Sequence, residues 1–226
     1  MCIRDRVVSG TIKDFDTFKQ DLIDWIYEYK SNDPGISKIS NKRGWQSLSK
    51  EVFTEESFEP YKDKIIPCVT ELINEFRIEQ RMDLVQMWLN VNGPFSYNVS
   101  HRHPGCELAG VLWIKQTPES GRFVFDNMDT GYRDAMLLNA TDRDYLEEKK
   151  MPPEYVPKYT DGTMIIFPAG FTHRVEINET TEDRISLSFN IKIITFFKNK
   201  CVHQYIFLKI SNGFLYIMVN TTNNCC

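Results

Sequence analysis

Between Leu84 and Ile191 the chain reads as strand after strand, with histidines standing at strand edges. The runs Leu84–Asn92, Leu108–Lys115, Gly121–Asp126, Thr163–Phe167, His173–Ile177 and Arg184–Ile191 are short and rich in apolar and β-branched residues. A set of short strands with one long insert suits a barrel or jelly roll. In the first run Trp88, Asn90 and Asn92 share one face, and Met87, Leu89 and Val91 share the other, because strand side chains alternate. Amides facing the same way as the histidines that follow point to a polar-lined interior.

Two amphipathic helices precede these strands. From Ile12 to Lys30, Phe15, Phe18, Leu22, Trp25, Ile26 and Tyr29 recur at three- and four-residue steps, and Asn32-Asp33-Pro34-Gly35 stops the run. A second helix fits Ser57 to Ile78, with Tyr61, Ile65, Val69, Leu72 and Phe76 on one face. Pro60 suits its first turn, while Pro67 must kink the helix or mark its real start. The polar stretch Ser40–Ser47 reads as a loop with Trp45 anchored at a core edge. The expected fold class is mostly β with N-terminal helices, a jelly-roll, cupin-like barrel braced by two helices. Between Asn127 and Asp161 no period holds, and Pro152, Pro153 and Pro157 exclude long regular elements. A loop of this length is expected to be a lid or binding loop, with Tyr132, Arg133, Met136 and Tyr145 available to a peptide, sugar or small metabolite.

At 226 residues the length favours one domain with a full core. A net charge of −4 gives no reason to expect a nucleic-acid partner, and no apolar run reaches membrane-spanning length. Cys2, Cys68, Cys106, Cys201, Cys225 and Cys226 show neither metal spacing nor a disulfide framework, so a reducing, cytoplasmic setting is expected. Met1-Cys2-Ile3-Arg4-Asp5-Arg6 resembles a translated adaptor scar and is set aside from fold reasoning. From Ile193 onward there is no Ala, Pro, Trp, Asp, Glu or Arg, as in an AT-rich stretch read in the wrong frame. The alternative for that tail is a terminal hairpin turning at Ser211-Asn212-Gly213. The expected unit is therefore a single domain over 7–192, helical over 12–80 and β over 84–192, with 193–226 a doubtful tail.

His101-x-His103, followed by His173 seventy residues later, is a candidate metal site. Imidazole suits iron, zinc, copper and nickel, and three side-chain ligands leave coordination positions open. Arg184 lies eleven residues past His173, with Ser186 on the same strand face. A guanidinium fork beside a hydroxyl near a metal is shaped to hold a small dicarboxylate. Singly, the His-x-His pair reads as a polar strand rim and Arg184 as a surface ion pair. Their order and strand placement together favour the site.

The chain also carries Ser40-Asn41-Lys42-Arg43-Gly44-Trp45-Gln46-Ser47, Trp88-Leu89-Asn90, His101-Arg102-His103-Pro104, Ala109-Gly110-Val111, Phe167-Pro168 ahead of His173, and Arg184 to Asn190. As a set, over residues 9 to 192, these motifs resemble the 2-oxoglutarate/Fe(II) oxygenases of phages and marine bacteria. The resemblance implies a double-stranded β-helix, Fe(II), 2-oxoglutarate as cosubstrate, and hydroxylation of a small-molecule or peptide substrate with release of succinate and carbon dioxide. It places Fe(II) on His101, His103 and His173, and the far carboxylate of 2-oxoglutarate on Arg184 with Ser186 assisting; Asn90 is a further cosubstrate candidate from its facing on the strand. Most such enzymes use His-x-Asp where His103 stands, so the third ligand is either His103 or a carboxylate such as Asp126 or Glu107. Gln46 stands where this branch more often has His. Two other readings stay open. One is a cupin-type dioxygenase or isomerase working without 2-oxoglutarate. The other is a non-enzymatic β-barrel binding module.

Overall fold

The chain opens on a strand that its sequence does not announce. The structure is a computed structural model and describes residues 6–36, 40–126, 144, 154–194, 209–211 and 214–217. Strand β1 (Val8–Thr11) is too short for a period to show and owes its conformation to backbone pairing with a later strand. The first predicted helix is two elements. A 3-10 turn at Phe15–Thr17 is followed, after a break at Phe18 (φ −132°), by α1 (Lys19–Asn32). Phe15, Phe18, Leu22 and Ile26 are buried as their spacing predicts. The stretch from 40 to 47 holds two short strands, β2 (Asn41–Lys42) and β3 (Trp45–Gln46), and Trp45 Nε1 donates to the Asp33 carbonyl at 3.0 Å.

The second helix, α2 (Glu59–Asn74), starts with Pro60 in its first turn and runs through Pro67. Pro67 therefore does not mark the helix start. Its side is exposed, so the carbonyl that loses an N–H partner there faces water, where the loss is cheapest. Ile65, Ile66, Val69, Leu72 and Ile73 form the buried stripe.

The remaining strands are β4 (Arg81–Asn92), β5 (Tyr97–His101), β6 (Leu108–Lys115), β7 (Phe123–Asp126), β8 (Glu154–Tyr155), β9 (Thr163–Pro168), β10 (His173–Val175), β11 (Arg184–Ile194), β12 (Lys209–Ser211) and β13 (Phe214–Ile217). Among the described residues they form two antiparallel sheets. The larger runs β1-β9-β6-β11-β4-β13-β12 with β3 also on β4, and the smaller runs β2-β5-β10-β7-β8. This is the expected jelly roll, braced by helices on the outer face of the larger sheet. Leu89, Val91, Leu112, Ile166, Leu187 and Phe189 meet the helices in one core, while Val111, Trp113 and Phe167 meet Phe123 and Phe125 across the sheets in a second. Each buried side chain of this size contributes roughly 1.5–3 kcal/mol.

The pairing of β11 with β4 fixes what faces the space between the sheets. Arg184 lies opposite Asn92, Ser186 opposite Asn90, Ser188 opposite Trp88 and Asn190 opposite Gln86. Register slips by one residue beyond Asn190, where Ile191 pairs with Leu84 and Val85 is skipped. Upstream of that slip the even-numbered Met82 and Leu84 belong to the helix-side core, although Trp88, Asn90 and Asn92 face the cavity. A one-residue bulge turns β4 over.

Of the insert 127–161, residue 144 and the residues from Glu154 on are described. Tyr159 stacks on Trp113 with centroids 3.9 Å apart, and its hydroxyl accepts the Phe123 N–H. Tyr132, Arg133, Met136 and Tyr145 lie outside the described residues. In the tail, β12 pairs with β13 and β13 pairs with the Met82–Leu84 end of β4. No described helix is long and apolar enough to cross a membrane.

Candidate metal centre

The three histidines predicted from spacing meet at one point. His101 ends β5, His173 begins β10, and the two are direct neighbours in the antiparallel ladder. His103 stands two residues past β5, where its N–H donates to the Ala169 carbonyl at 3.0 Å. The ligating nitrogens of the three rings all lie within 4.8 Å of one another, and the Nε2 atoms of His101 and His103 are 3.3 Å apart. The ring of His173 is walled by Phe123, stacked at 5.3 Å, and by Phe167, edge-on at 5.0 Å.

Every Nδ1 in the cluster has an acceptor. Nδ1 of His101 is 2.7 Å from the Val99 carbonyl, Nδ1 of His173 is 2.9 Å from the Phe171 carbonyl, and Nδ1 of His103 is 2.6 Å from Asn190 Oδ1. With its proton held on Nδ1, each imidazole turns an Nε2 lone pair inward. Burial lowers the pKa of all three. His101 falls below its ordinary value, and His103 falls to about 4 with help from the nearby His101 and Lys50 charges. His173 falls well below, through burial first and then the two neighbouring imidazoles. Three neutral rings with converging lone pairs repel one another unless a cation sits among them. That donor set fits a divalent first-row ion such as Fe(II).

The two carboxylates weighed as a third ligand stand elsewhere. Asp126 is paired with Arg174 and accepts the Ser100 hydroxyl, and Glu107 accepts the Ile193 N–H at 2.7 Å. Among the described residues, the convergent donors are the three histidines alone.

The histidines open into a small cavity between the sheets, which Trp88, Asn90, Trp113, Arg184, Ser186 and Ser188 also line. Arg184 is 3% exposed. Its Nη1 donates to the Ser120 carbonyl and lies 3.4 Å from the Glu176 carbonyl, while its buried Nη2 has no partner. Burial brings this guanidinium down to about 10, still charged at neutral pH. A buried cation without a carboxylate is costly, and a carboxylate-bearing ligand would offset that cost. Asn90 Nδ2 donates to Ser188 Oγ at 3.1 Å and lies 3.5 Å from Ser186 Oγ, leaving a buried Oδ1 unpartnered.

Other contributors carry little sequence signal. Gly121 has φ +93°, and a Cβ there would stand 2.2 Å from the Glu176 carbonyl oxygen and 2.7 Å from Arg184 Nη1. Only glycine admits the guanidinium to its seat. The motif from Ser40 to Ser47 serves the cavity wall rather than the metal. Asn41 Nδ2 donates to Asn92 Oδ1 at 2.8 Å, Ser47 Oγ accepts the Leu89 N–H, and Gln46 pairs with Asn90 in the ladder.

Residues 86–190 match the model of the family described as "Putative 2OG-Fe(II) oxygenase". Solved structures agree in fold. The epimerase SnoN from nogalamycin biosynthesis superposes with a TM-score of 0.60 at 14% identity, over 84% of this chain and 77% of its own. HygX from Streptomyces hygroscopicus, solved with nickel and 2-oxoglutarate bound, gives a TM-score of 0.54 at 13% identity, over 84% and 83%. A Pseudomonas putida prolyl-4-hydroxylase gives 0.52 at 10% identity, over 84% and 93%. The fold is that of the 2-oxoglutarate/Fe(II) oxygenases. A comparison with curated protein sequences finds no match.

Proposed function

We propose that the chain is a 2-oxoglutarate- and Fe(II)-dependent dioxygenase that hydroxylates a small-molecule or peptide substrate, releasing succinate and carbon dioxide. The observation that carries this reading is the pairing, in one cavity, of three converging neutral imidazoles with a buried guanidinium whose Nη2 has no partner. The family match over 86–190 and the structures similar in fold support it.

His101, His103 and His173 would hold Fe(II). Arg184 would take the far carboxylate of 2-oxoglutarate through Nη2, Ser186 would assist from two residues along the same strand, and Asn90 stands beside both. The bound iron, with 2-oxoglutarate and oxygen, supplies the oxidising chemistry and the decarboxylation. The chain's own contribution is placement. Ser120 and Glu176 carbonyls seat the guanidinium, carbonyls of Val99 and Phe171 aim two of the rings, and the Phe123, Phe167 and Trp113 walls keep water from the reacting end.

An anaerobic titration of the full chain with Fe(II) and then 2-oxoglutarate tests this, read by the visible charge-transfer band. The band is expected, absent in His173→Ala and weakened in Arg184→Ala. Iron binding with no band on adding 2-oxoglutarate would move the assignment to a cupin-type enzyme that binds substrate directly. Well-folded protein that takes up no metal would leave a non-enzymatic module. One of the similar structures is an epimerase, so candidate products are to be analysed for inverted stereocentres as well as added oxygen.

A further inference from the structure

Two of the three imidazoles are aimed by backbone, in the same way. His101 and His173 each set Nδ1 against the carbonyl of the residue two positions earlier, Val99 and Phe171. No side-chain substitution removes those acceptors. His103 is different. It lies beyond the end of β5, and its Nδ1 acceptor is a side chain eighty-seven positions along the chain, Asn190 Oδ1 at 2.6 Å.

Asn190 is itself fixed. It is 7% exposed, and its Nδ2 donates to Gln86 Oε1 at 2.7 Å. Gln86 and Asn190 are directly opposed in the β4–β11 ladder, so their side chains stand on one face as neighbours. The direction of this short relay matters. With Gln86 Oε1 accepting from the amide nitrogen, Asn190 must present its oxygen to His103, and His103 must hold its proton on Nδ1. Turned over, the amide would donate to Nδ1, the proton would sit on Nε2, and that nitrogen could not bind a metal.

We infer that Asn190, oriented by Gln86, is the positioning residue that makes His103 the third metal ligand. The inference rests on the metal-centre reading above and goes beyond it, because it assigns the lock on the one ligand that departs from the usual carboxylate. The ion's affinity and coordination geometry then depend on a pair of neutral amides that reach the ion only through His103.

Anaerobic Co(II) titration of the full chain tests it, reading both the dissociation constant and the ligand-field absorption bands. Asn190→Leu keeps the size of the side chain and removes the acceptor. It is expected to weaken Co(II) binding about 10- to 100-fold and to shift the bands, with the metal-free unfolding midpoint close to that of the unmodified protein. Asn190→Asp restores an acceptor for Nδ1–H and is expected to recover affinity and bands. Unchanged affinity and bands in Asn190→Leu would overturn the inference, and so would failure of Asn190→Asp to recover them, which marks a packing role. Should Asn190→Leu not fold, Gln86→Met decides. A several-fold loss with shifted bands is expected, and parity with the unmodified protein overturns the relay. His173→Ala separates the two levels. If it still binds Co(II) as the unmodified protein does, the metal centre itself is misassigned; if it loses binding while Asn190→Leu does not, only the relay fails.

Discussion

The imidazoles of His101, His103 and His173 are neutral at pH 7 because burial, more than any single neighbour, holds each below its ordinary value. For His103 the folded value is about 4, against an ordinary value of 6.5. Between those two values the unfolded chain takes up a proton that the folded chain refuses. Stability from this group is thus fully present above pH 6.5 and drains away as pH falls toward 4. The metal-free protein should show a thermal midpoint that drops by several degrees between pH 7 and pH 5, with a shallower drop in His103→Gln; circular dichroism melts at stepped pH check this. Arg184 makes the complementary case, a residue that stays charged although buried. Arg184→Met leaves the cavity lined but removes the charged donor, and should weaken 2-oxoglutarate binding about 10- to 100-fold while leaving Co(II) affinity near that of the unmodified protein. Calorimetric titration of the metal-loaded chain with 2-oxoglutarate separates the two effects.

At the scale of elements, the loop ahead of β7 supports the guanidinium through Gly121. Gly121→Ala would place a methyl against both the Glu176 carbonyl and Arg184 Nη1 at a left-handed φ. It should lower stability by about 1–3 kcal/mol and 2-oxoglutarate affinity with it, read by denaturant melts and the charge-transfer band. Nothing in the sequence pattern marks that glycine, since its role depends on a side chain sixty-three residues away. The strands that carry Trp88, Asn90, Arg184 and Ser186 were legible, because one buried apolar face and one polar face alternate over many residues. Strand β5 was not, for its residues are exposed or half-buried and give no apolar alternation. Strand β1 was hidden as well, four residues including Gly10, which packs against Leu72. The histidines could be read from spacing, whereas the Gln86–Asn190 pairing depends on a register that no local pattern sets.

Across the whole molecule, the candidate site is shared between the sheets. His101 and His173 come from the smaller sheet, and Arg184, Ser186 and Asn90 from the larger. A metal with 2-oxoglutarate reaching to Arg184 would therefore tie one sheet to the other. Saturating Zn(II) with 2-oxoglutarate, at about 100 times the dissociation constant, should raise the thermal midpoint by roughly 5–10 °C. Amide exchange should slow in β5, β10 and β11 together, whereas 2-oxoglutarate without metal should protect little. The bulge at Val85 shows how finely this division is drawn. On one side of it β4 sends even-numbered side chains to the helices, and on the other it sends them to the cavity between the sheets. A single skipped residue thus lets one continuous strand belong to two environments, oil for its first turn of the pleat and chemistry for the rest. Were Val85 taken into regular pairing instead of being skipped, Met82 and Leu84 would turn toward the cavity and Asp83 toward the helices, so the strand's meaning resides in its phase as much as in its letters.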